Sequence, residues 1–368
     1  MIVHPFRSRD SDIANLPEKL ALLGERYDAV SLFPRDSLAL LVQSGLHRRF
    51  APPQAGGEAF ASESDRYRAM LTALAEVGRG DLSVGRLFEG HVNALLLFGW
   101  YAGPKQLGWL RSRLDRGAWF GVWASEPAPG VRLTGTPSIR LEGAKHFASG
   151  AGGLDHAIVT ARPEAGDRQL VVVPANDPAR TDNSAWRVRG MRASVSGTYD
   201  LSGLPIDQEA MLGQPGDYDR DPRFTAGAWR FCAVQLGGIE ALVEETARNM
   251  QQAARADALL RQRLSRAHVA ARTARFWVEE AARQAAGEAS EAILAARIGR
   301  GVVEDAGLFA IETAARILGT RSAFEGERAD KIARDLSLYL RQAGPDHARD
   351  EAAKEILRRV YGHKEGPR

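Results

Sequence analysis

Two hydroxyl-bearing β runs in the middle of the chain carry the residues best suited to bind a flat heterocycle. The first ends at Trp123 and is followed by Ser125; the second contains Phe147 and Ser149 and leads into a glycine-rich turn. Small hydroxyls at strand ends can hydrogen-bond the polar edge of a ring, and an aromatic side chain can stack on its face. Because Ser and Gly also occur in strand turns that bind nothing, this pattern alone is not specific.

A second candidate for chemistry is His91, which lies in the sequence Glu89-Gly90-His91-Val92-Asn93. Its imidazole titrates near neutral pH and is suited to acid–base work. Glu89 would not be its partner, since helical positions i and i+2 point to different sides. Two interpretations stay open: an acid–base residue, and a hydrogen-bonded histidine of the core.

Other kinds of site leave no pattern in the sequence. The eight histidines lack metal-ligand spacing, and the single Cys232 excludes an internal disulfide and fits a reducing compartment. Dinucleotide, phosphate-loop and nucleophile-elbow motifs are absent, although this does not exclude a Ser-His-Asp hydrolase. Basic and acidic residues, 49 and 46, are interspersed, which argues against a nucleic-acid surface. With no apolar leader and no apolar run of membrane length, we expect a cytoplasmic protein with no membrane partner.

The elements that position these residues follow the order α, β, α. Helical spacing of apolar residues predicts helices before about residue 118, including a buried one over 81–103. Short β-rich runs separated by Gly and Pro then continue to about 222, at 158–160, 170–173, 186–188 and 195–204, and predict a small antiparallel barrel or sandwich. The remainder is helical. We therefore predict an α+β fold with three domains, 1–118, 119–222 and 223–368.

Several short motifs, in this order and spacing, resemble the acyl-CoA dehydrogenase family over nearly the full length. Ser125-Glu126-Pro127 stands where the family has Thr-Glu-Pro, and the segment 145–149 stands where it has Lys-x-Trp-Ile-Thr. The resemblance implies an acyl-CoA dehydrogenase-like fold that holds FAD between the β domain and the C-terminal bundle, in a homotetramer or homodimer. Further matching residues are Phe33-Pro34, Gly45-Leu46, Gly56-Gly57, Gly190-Met191-Arg192, Ile317-Leu318-Gly319-Thr320 and Arg334-Asp335.

The resemblance also assigns roles to individual residues. Ser125 and Ser149 would bond the flavin, and Trp123 and Phe147 would pack beside its ring. Independently of the resemblance, Trp229 and Arg230 are candidates for substrate binding, since Arg230 could bind an anionic group or lie over the flavin; an ordinary interhelical salt bridge explains Arg230 equally well. Arg255 would bind the diphosphate, although a solvated helix charge is an equal alternative, and Gly319 and Thr320 would meet the adenine half from a neighbouring subunit.

The chain departs from the family at the catalytic base. Ala343 stands where the family has the glutamate that removes the substrate α-proton, and a methyl group cannot accept a proton. Residues 226–233, where some members carry the glutamate instead, include no carboxylate. His91 and Asp346 are the substitutes that we considered, with Asp346 alternatively an N-cap of the last helix. The Phe-Gly that follows the diphosphate arginine in the family is also missing after Arg255.

From this resemblance we expect an FAD-dependent oxidoreductase that oxidises a CH–CH bond of an acyl-CoA or similar thioester, with an electron-transfer flavoprotein or a flavin reductase as redox partner. Two alternatives stay open. One is a flavin-dependent monooxygenase on the same fold, a branch that also lacks the glutamate. The other is a non-catalytic relative that acts as a binding or assembly protein.

Overall fold

Helices precede and follow a central run of strands, as the sequence predicts. The computed structural model describes residues 15–135, 138–287, 289–342 and 344–362. No helix within these ranges is long and apolar enough to cross a membrane. The helices before the strands are α1 Leu16–Val30, α2 Arg35–Gln43, α3 Leu46–Arg49, α4 Glu63–Gly80, α5 Leu82–Tyr101 and α6 Pro104–Leu114. Those after the strands are α7 Arg223–Ala226, α8 Trp229–Arg248, α9 Gln252–Ala256, α10 Ala258–Ala285, α11 Ala289–Leu318, α12 Arg328–Tyr339 and α13 Pro345–Tyr361.

The strands are β1 Phe120–Trp123, β2 Arg132–Thr134, β3 Arg140–Glu142, β4 Ala144–Ala148, β5 His156–Ala161, β6 Gln169–Pro174, β7 Thr181–Asp182, β8 Gly197–Asp200, β9 Leu204–Pro205 and β10 Met211–Leu212. They form three small sheets, ordered β1-β5-β6-β10, β2-β3-β9 and β4-β8-β7. Pairing is antiparallel except between β1 and β5, which run parallel. A parallel pair needs a long connection, and the segment from 124 to 155, with three strands of its own, supplies it.

One predicted strand is wrong. Residues 186–188 form no strand, and the Trp186 indole instead donates to the Met191 carbonyl at 3.2 Å, inside a loop. The β-type residues at 186–188 therefore belong to a loop and not to a strand. The predicted strand at 195–204 is shorter than expected and is split into β8 and β9 by a turn.

Packing groups the described residues into two units, which differ from the three predicted sequence domains. The first contains the residues up to Ala61 together with Ser83–Arg220, and the second contains Ser62–Leu82 together with Asp221–Arg368. In the first unit, apolar residues of β1, β5, β6 and β10 share a buried core with helices α5 and α6. The three-domain division of the sequence stays a prediction.

In the second unit, α4 packs against α8 although more than a hundred residues separate them. Two glycines allow the close approach. A Cβ at Gly78 would lie 2.2 Å from the Val234 carbonyl oxygen, and one at Gly237 would lie 1.9 Å from the Ala75 carbonyl oxygen. Because real Cβ atoms do not come so close to an oxygen, a side chain at either position would push the helices apart.

Candidate functional site

Phe147, in β4, has the features of a residue held for function. Its φ is +51°, and its side chain is 67% exposed. Left-handed backbone costs a non-glycine residue about 1–2 kcal/mol, and burial of this side chain does not offset the cost. The conformation arises where the pairing of β4 with β8 shifts register between Lys145 and Ala148. The β sheet therefore presents an aromatic face outward, at a position the sequence predicted for ring stacking.

Lys145 anchors the strand that carries Phe147. Its side chain is fully buried, and its ammonium group donates to the Glu126 carboxylate and, at 2.9 Å, to the Thr160 hydroxyl. Burial lowers the pKa of Lys145 to about 8, although the Glu126 carboxylate partly opposes this shift. The ion pair ties the Ser-Glu-Pro segment after β1 to β4.

Ser149 is held by both its backbone and its side chain. Its carbonyl accepts a hydrogen bond from the Trp123 indole at 3.0 Å, and its hydroxyl lies 2.9 Å from the Ser196 hydroxyl. Ser196 lies 2.9 Å from the Ser194 hydroxyl, which in turn donates to the Met191 carbonyl at 2.8 Å. Sequence reasoning missed Ser194 and Ser196; their signal was the alternation Ser-Val-Ser immediately before a β-type run.

Trp123 is buried behind Ser149, and its indole contacts the Ser149 backbone. Its side chain is 2% exposed and its ring centroid lies 5.1 Å from that of Tyr199. A buried indole with a satisfied N–H is a core residue that positions the Ser149 backbone. This arrangement argues against the predicted packing of Trp123 on a flavin ring.

Backbone strain is concentrated on the two segments that meet at Ser149 and Ser196. Within the described ranges, four non-glycine residues have left-handed φ values, and three of them are Phe147, Met191 and Val195. The fourth, Ser31, accepts a hydrogen bond from Arg192. Val195, at φ +40°, is β-branched and so is especially unfavourable in this region. Such strain clusters where structure serves binding or catalysis.

Ser125 lies beside this site. Its carbonyl accepts a hydrogen bond from the His146 amide at 3.0 Å, next to Phe147, and the residue is exposed. Its predicted contact with a cofactor stays a prediction.

His91 has a structural role, which argues against acid–base work. The ring is completely buried; the Phe120 amide donates to Nδ1 at 3.1 Å, so that Nε2 carries the proton and donates to the His47 carbonyl at 2.7 Å. Burial, together with the neighbouring His47, lowers the pKa of His91 well below its usual value. Both ring nitrogens form hydrogen bonds with backbone groups, so His91 is a neutral core histidine that connects α5 to β1.

Of the five residues of the second unit that were predicted to bind cofactor or substrate, two are buried and three are exposed. Trp229 is 1% exposed against Tyr67, and the Arg230 guanidinium lies 5.8 Å from the Trp229 ring. Arg255 is exposed and folds back so that Nε donates to the Met250 carbonyl at 2.6 Å. The ligand roles of these residues stay predictions. The other two exposed residues are Gly319, which has a φ of +60°, and Thr320.

Asp346 is unsuited to replace the missing base. Its side chain is fully exposed and lies 3.5 Å from Arg349. It belongs to the first turn of α13, where a negative charge complements the helix dipole, and the N-cap is Gly344. The alternative N-cap assignment is therefore wrong, and the exposed position argues against the catalytic assignment. Ala343, at the family's base position, lies outside the described residues.

Three named proteins to which this chain is similar, in sequence or in structure, are monooxygenases. No protein-family model matches the chain. It is 29% identical over 158 residues to dibenzothiophene monooxygenase of Mycolicibacterium goodii, a match that spans 39% of this chain and only 38% of that relative.

The structural matches extend over nearly the whole chain. FMN-bound TdsC, the dibenzothiophene monooxygenase of Paenibacillus sp. A11-2, superposes with a TM-score of 0.84 at 19% identity, over 95% of this chain and 97% of that one. Methanesulfinate monooxygenase of Pseudomonas fluorescens does so with a TM-score of 0.82 at 20% identity, over 96% and 98%.

These similarities overturn the expected acyl-CoA oxidation, because the three similar proteins are all monooxygenases. They confirm the predicted architecture. The chain has the acyl-CoA dehydrogenase-like fold of N-terminal helices, central β sheets and C-terminal helices.

Proposed function

We propose that this protein is a flavin-dependent monooxygenase that uses reduced FMN delivered by a separate flavin reductase. The observation that carries the proposal is the outward-facing, strained Phe147 beside the anchored Ser149. The similarity to monooxygenases supports the reaction class, and the FMN bound in the TdsC structure replaces FAD as our expected cofactor.

The residues of the first unit fit an isoalloxazine ring. Phe147 offers a flat apolar face, and the Ser149 hydroxyl lies two residues away to bond a polar ring atom. When bound, a reduced flavin supplies the activation of molecular oxygen, which protein side chains cannot perform. The protein contributes binding and orientation.

The lack of a carboxylate at the two positions where the acyl-CoA dehydrogenase family has its base agrees with this reaction class. Desaturation of a thioester needs a residue that accepts the α-proton. Here position 343 is alanine, residues 226–233 contain no carboxylate, and the Asp346 side chain is fully exposed. Transfer of an oxygen atom to a nucleophilic substrate atom makes no such demand.

Organosulfur compounds are the substrate class that we propose. Two of the similar proteins are named for their substrates, dibenzothiophene and methanesulfinate. These two compounds differ in size and charge, but each contains an oxidisable sulfur atom. A sulfur lone pair is the nucleophile that both molecules would offer to an activated oxygen.

The test combines binding with oxygen transfer. We expect anaerobic titration to show binding of reduced FMN, and turnover with a separate reductase and ¹⁸O₂ to place one labelled oxygen on sulfide or sulfinate substrates, detected by mass spectrometry. The double variant Phe147→Ala, Ser149→Ala should lose FMN binding, whereas Ser138→Ala, at an exposed serine, should retain it.

Two results would contradict the proposal. Anaerobic bleaching of bound oxidised flavin by acyl-CoAs would show a dehydrogenase. Failure to bind any flavin would favour a non-catalytic relative.

A further inference from the structure

The serine hydroxyls behind the site form a chain with a defined direction. The Ser194 hydroxyl donates to the Met191 carbonyl at 2.8 Å, and a hydroxyl has only one hydrogen to give. At the 2.9 Å contact between Ser194 and Ser196, Ser196 is therefore the donor. At the 2.9 Å contact between Ser196 and Ser149, the donor must then be Ser149.

This direction leaves the Ser149 hydroxyl with lone pairs only. Any further partner of its oxygen must supply a hydrogen. The chain is shielded from water, since Ser149, Ser196 and Ser194 are 9%, 7% and 1% exposed. Reversing it would sacrifice the buried hydrogen bond from Ser194 to the Met191 carbonyl, so the direction has an energetic basis.

We propose that Ser194 and Ser196 are positioning residues that hold Ser149 as a hydrogen-bond acceptor and so favour reduced flavin over oxidised flavin. The inference rests on the proposed function. Two-electron reduction places a hydrogen on a ring nitrogen that is a bare acceptor in the oxidised ring. A hydroxyl that can only accept forms a hydrogen bond with the N–H of the reduced ring. Its lone pairs repel the lone pair of the same nitrogen in the oxidised ring.

Single substitutions should alter the direction without removing Ser149. In Ser196→Ala, Ser149 is released to donate its hydrogen to a ligand. In Ser194→Ala, Ser196 loses its acceptor and turns its own hydrogen toward Ser149. The Met191 carbonyl still accepts from the Ser194 amide at 3.1 Å and from Trp186 at 3.2 Å, which protects the fold of this second variant.

The experiment is anaerobic titration of each protein with oxidised FMN and with chemically reduced FMN. The readout is the ratio of the two dissociation constants, independent of turnover. We expect the preference for reduced FMN to fall about threefold to tenfold in both alanine variants, the range for one neutral hydrogen bond. Ser196→Thr, which keeps the hydroxyl, and Ser138→Ala should keep the wild-type ratio.

The outcomes separate this inference from the proposed function. If the wild type prefers reduced FMN and both alanine variants keep its ratio, the serine chain has no such role, while the proposed function stands. An equal loss of affinity for both flavin forms would show a merely structural role and also overturn the inference. If the wild type binds neither form, both proposals fail. Should Ser196→Ala not fold, Ser194→Ala decides.

Discussion

At the scale of single residues, Phe147 combines two unfavourable features, a left-handed backbone and an exposed aromatic ring. Either one is ordinary in isolation, but their coincidence beside the buried Ser149 is not explained by stability. The surrounding strand pairs, with Lys145 opposite Tyr199 and Ala148 opposite Gly197, hold the residue in place. The inference runs from this observed strain to a binding function.

Replacing Phe147 should separate stability from binding. We expect Phe147→Gly to have a free energy of unfolding about 1 kcal/mol above that of Phe147→Ala, because glycine adopts positive φ freely and alanine does not. Both variants should bind FMN weakly. Urea denaturation and FMN titration provide the measurements. Equal stability of the two variants would show that the backbone is not strained, and unchanged FMN affinity would show that the ring lies elsewhere.

Lys145 gives a prediction about pH. Its pKa is lowered from 10.5 to about 8 in the folded protein, so between these values the unfolded chain binds more protons. Stability contributed by this group therefore rises with pH across that window, by at most about 3 kcal/mol.

The measurement compares urea denaturation of the wild type and Lys145→Met from about pH 7 to pH 10.5, a range that brackets the titration of Lys145. The difference in unfolding free energy should move in favour of the wild type above pH 8. Groups common to both proteins cancel. A constant difference would mean that the lysine has an ordinary pKa.

At the scale of elements, the contact between α4 and α8 depends on glycine at Gly78 and Gly237. We expect Gly237→Ala to lower the free energy of unfolding by about 1–3 kcal/mol or more, because the methyl group meets the Ala75 carbonyl. The matched control is Gly108→Ala in helix α6, where no atom lies within 4 Å of the added Cβ. It should raise stability by about 0.5–1 kcal/mol through helix propensity. Chemical denaturation of both variants is the measurement. Equal changes in the free energy of unfolding would contradict the close approach of α4 and α8.

The assignment of His91 also belongs to this scale. In sequence, a histidine on an apolar helix has the same appearance whether its nitrogens face a substrate or a backbone. The outcome depends on His47 and Phe120, which lie 44 and 29 positions away along the chain. Only packing of α5 against β1 and the α3 segment gives the ring two backbone partners.

At the scale of the whole molecule, ligand binding should stabilise the folded chain by mass action. Reduced FMN at a hundredfold excess over its dissociation constant should add about 2.7 kcal/mol, which corresponds to a rise of a few degrees in Tm. An acyl-CoA at the same concentration should leave Tm unchanged. Anaerobic thermal denaturation is the measurement. Stabilisation by acyl-CoA alone would contradict the proposed monooxygenase. The predicted homo-oligomer is a further expectation at this scale.

The sequence by itself determined the α, β, α order, the approximate bounds of α5, and the presence of Phe147 and Ser149 in one segment. These depend on local periodicity, on glycine and proline, and on a motif of five residues. The sequence did not predict the choice between desaturation and oxygenation correctly, because the signal that bears on it is a missing glutamate and not a residue that is present.

Tertiary structure decided the rest. It gave Phe147 its strained exposure, buried Trp123, placed Ser194 and Ser196 behind Ser149, and grouped α4 with the C-terminal helices. Each of these depends on contacts between residues far apart in sequence. The physical reason is that hydrogen-bond direction and burial are properties of pairs of groups, which no single stretch of residues specifies.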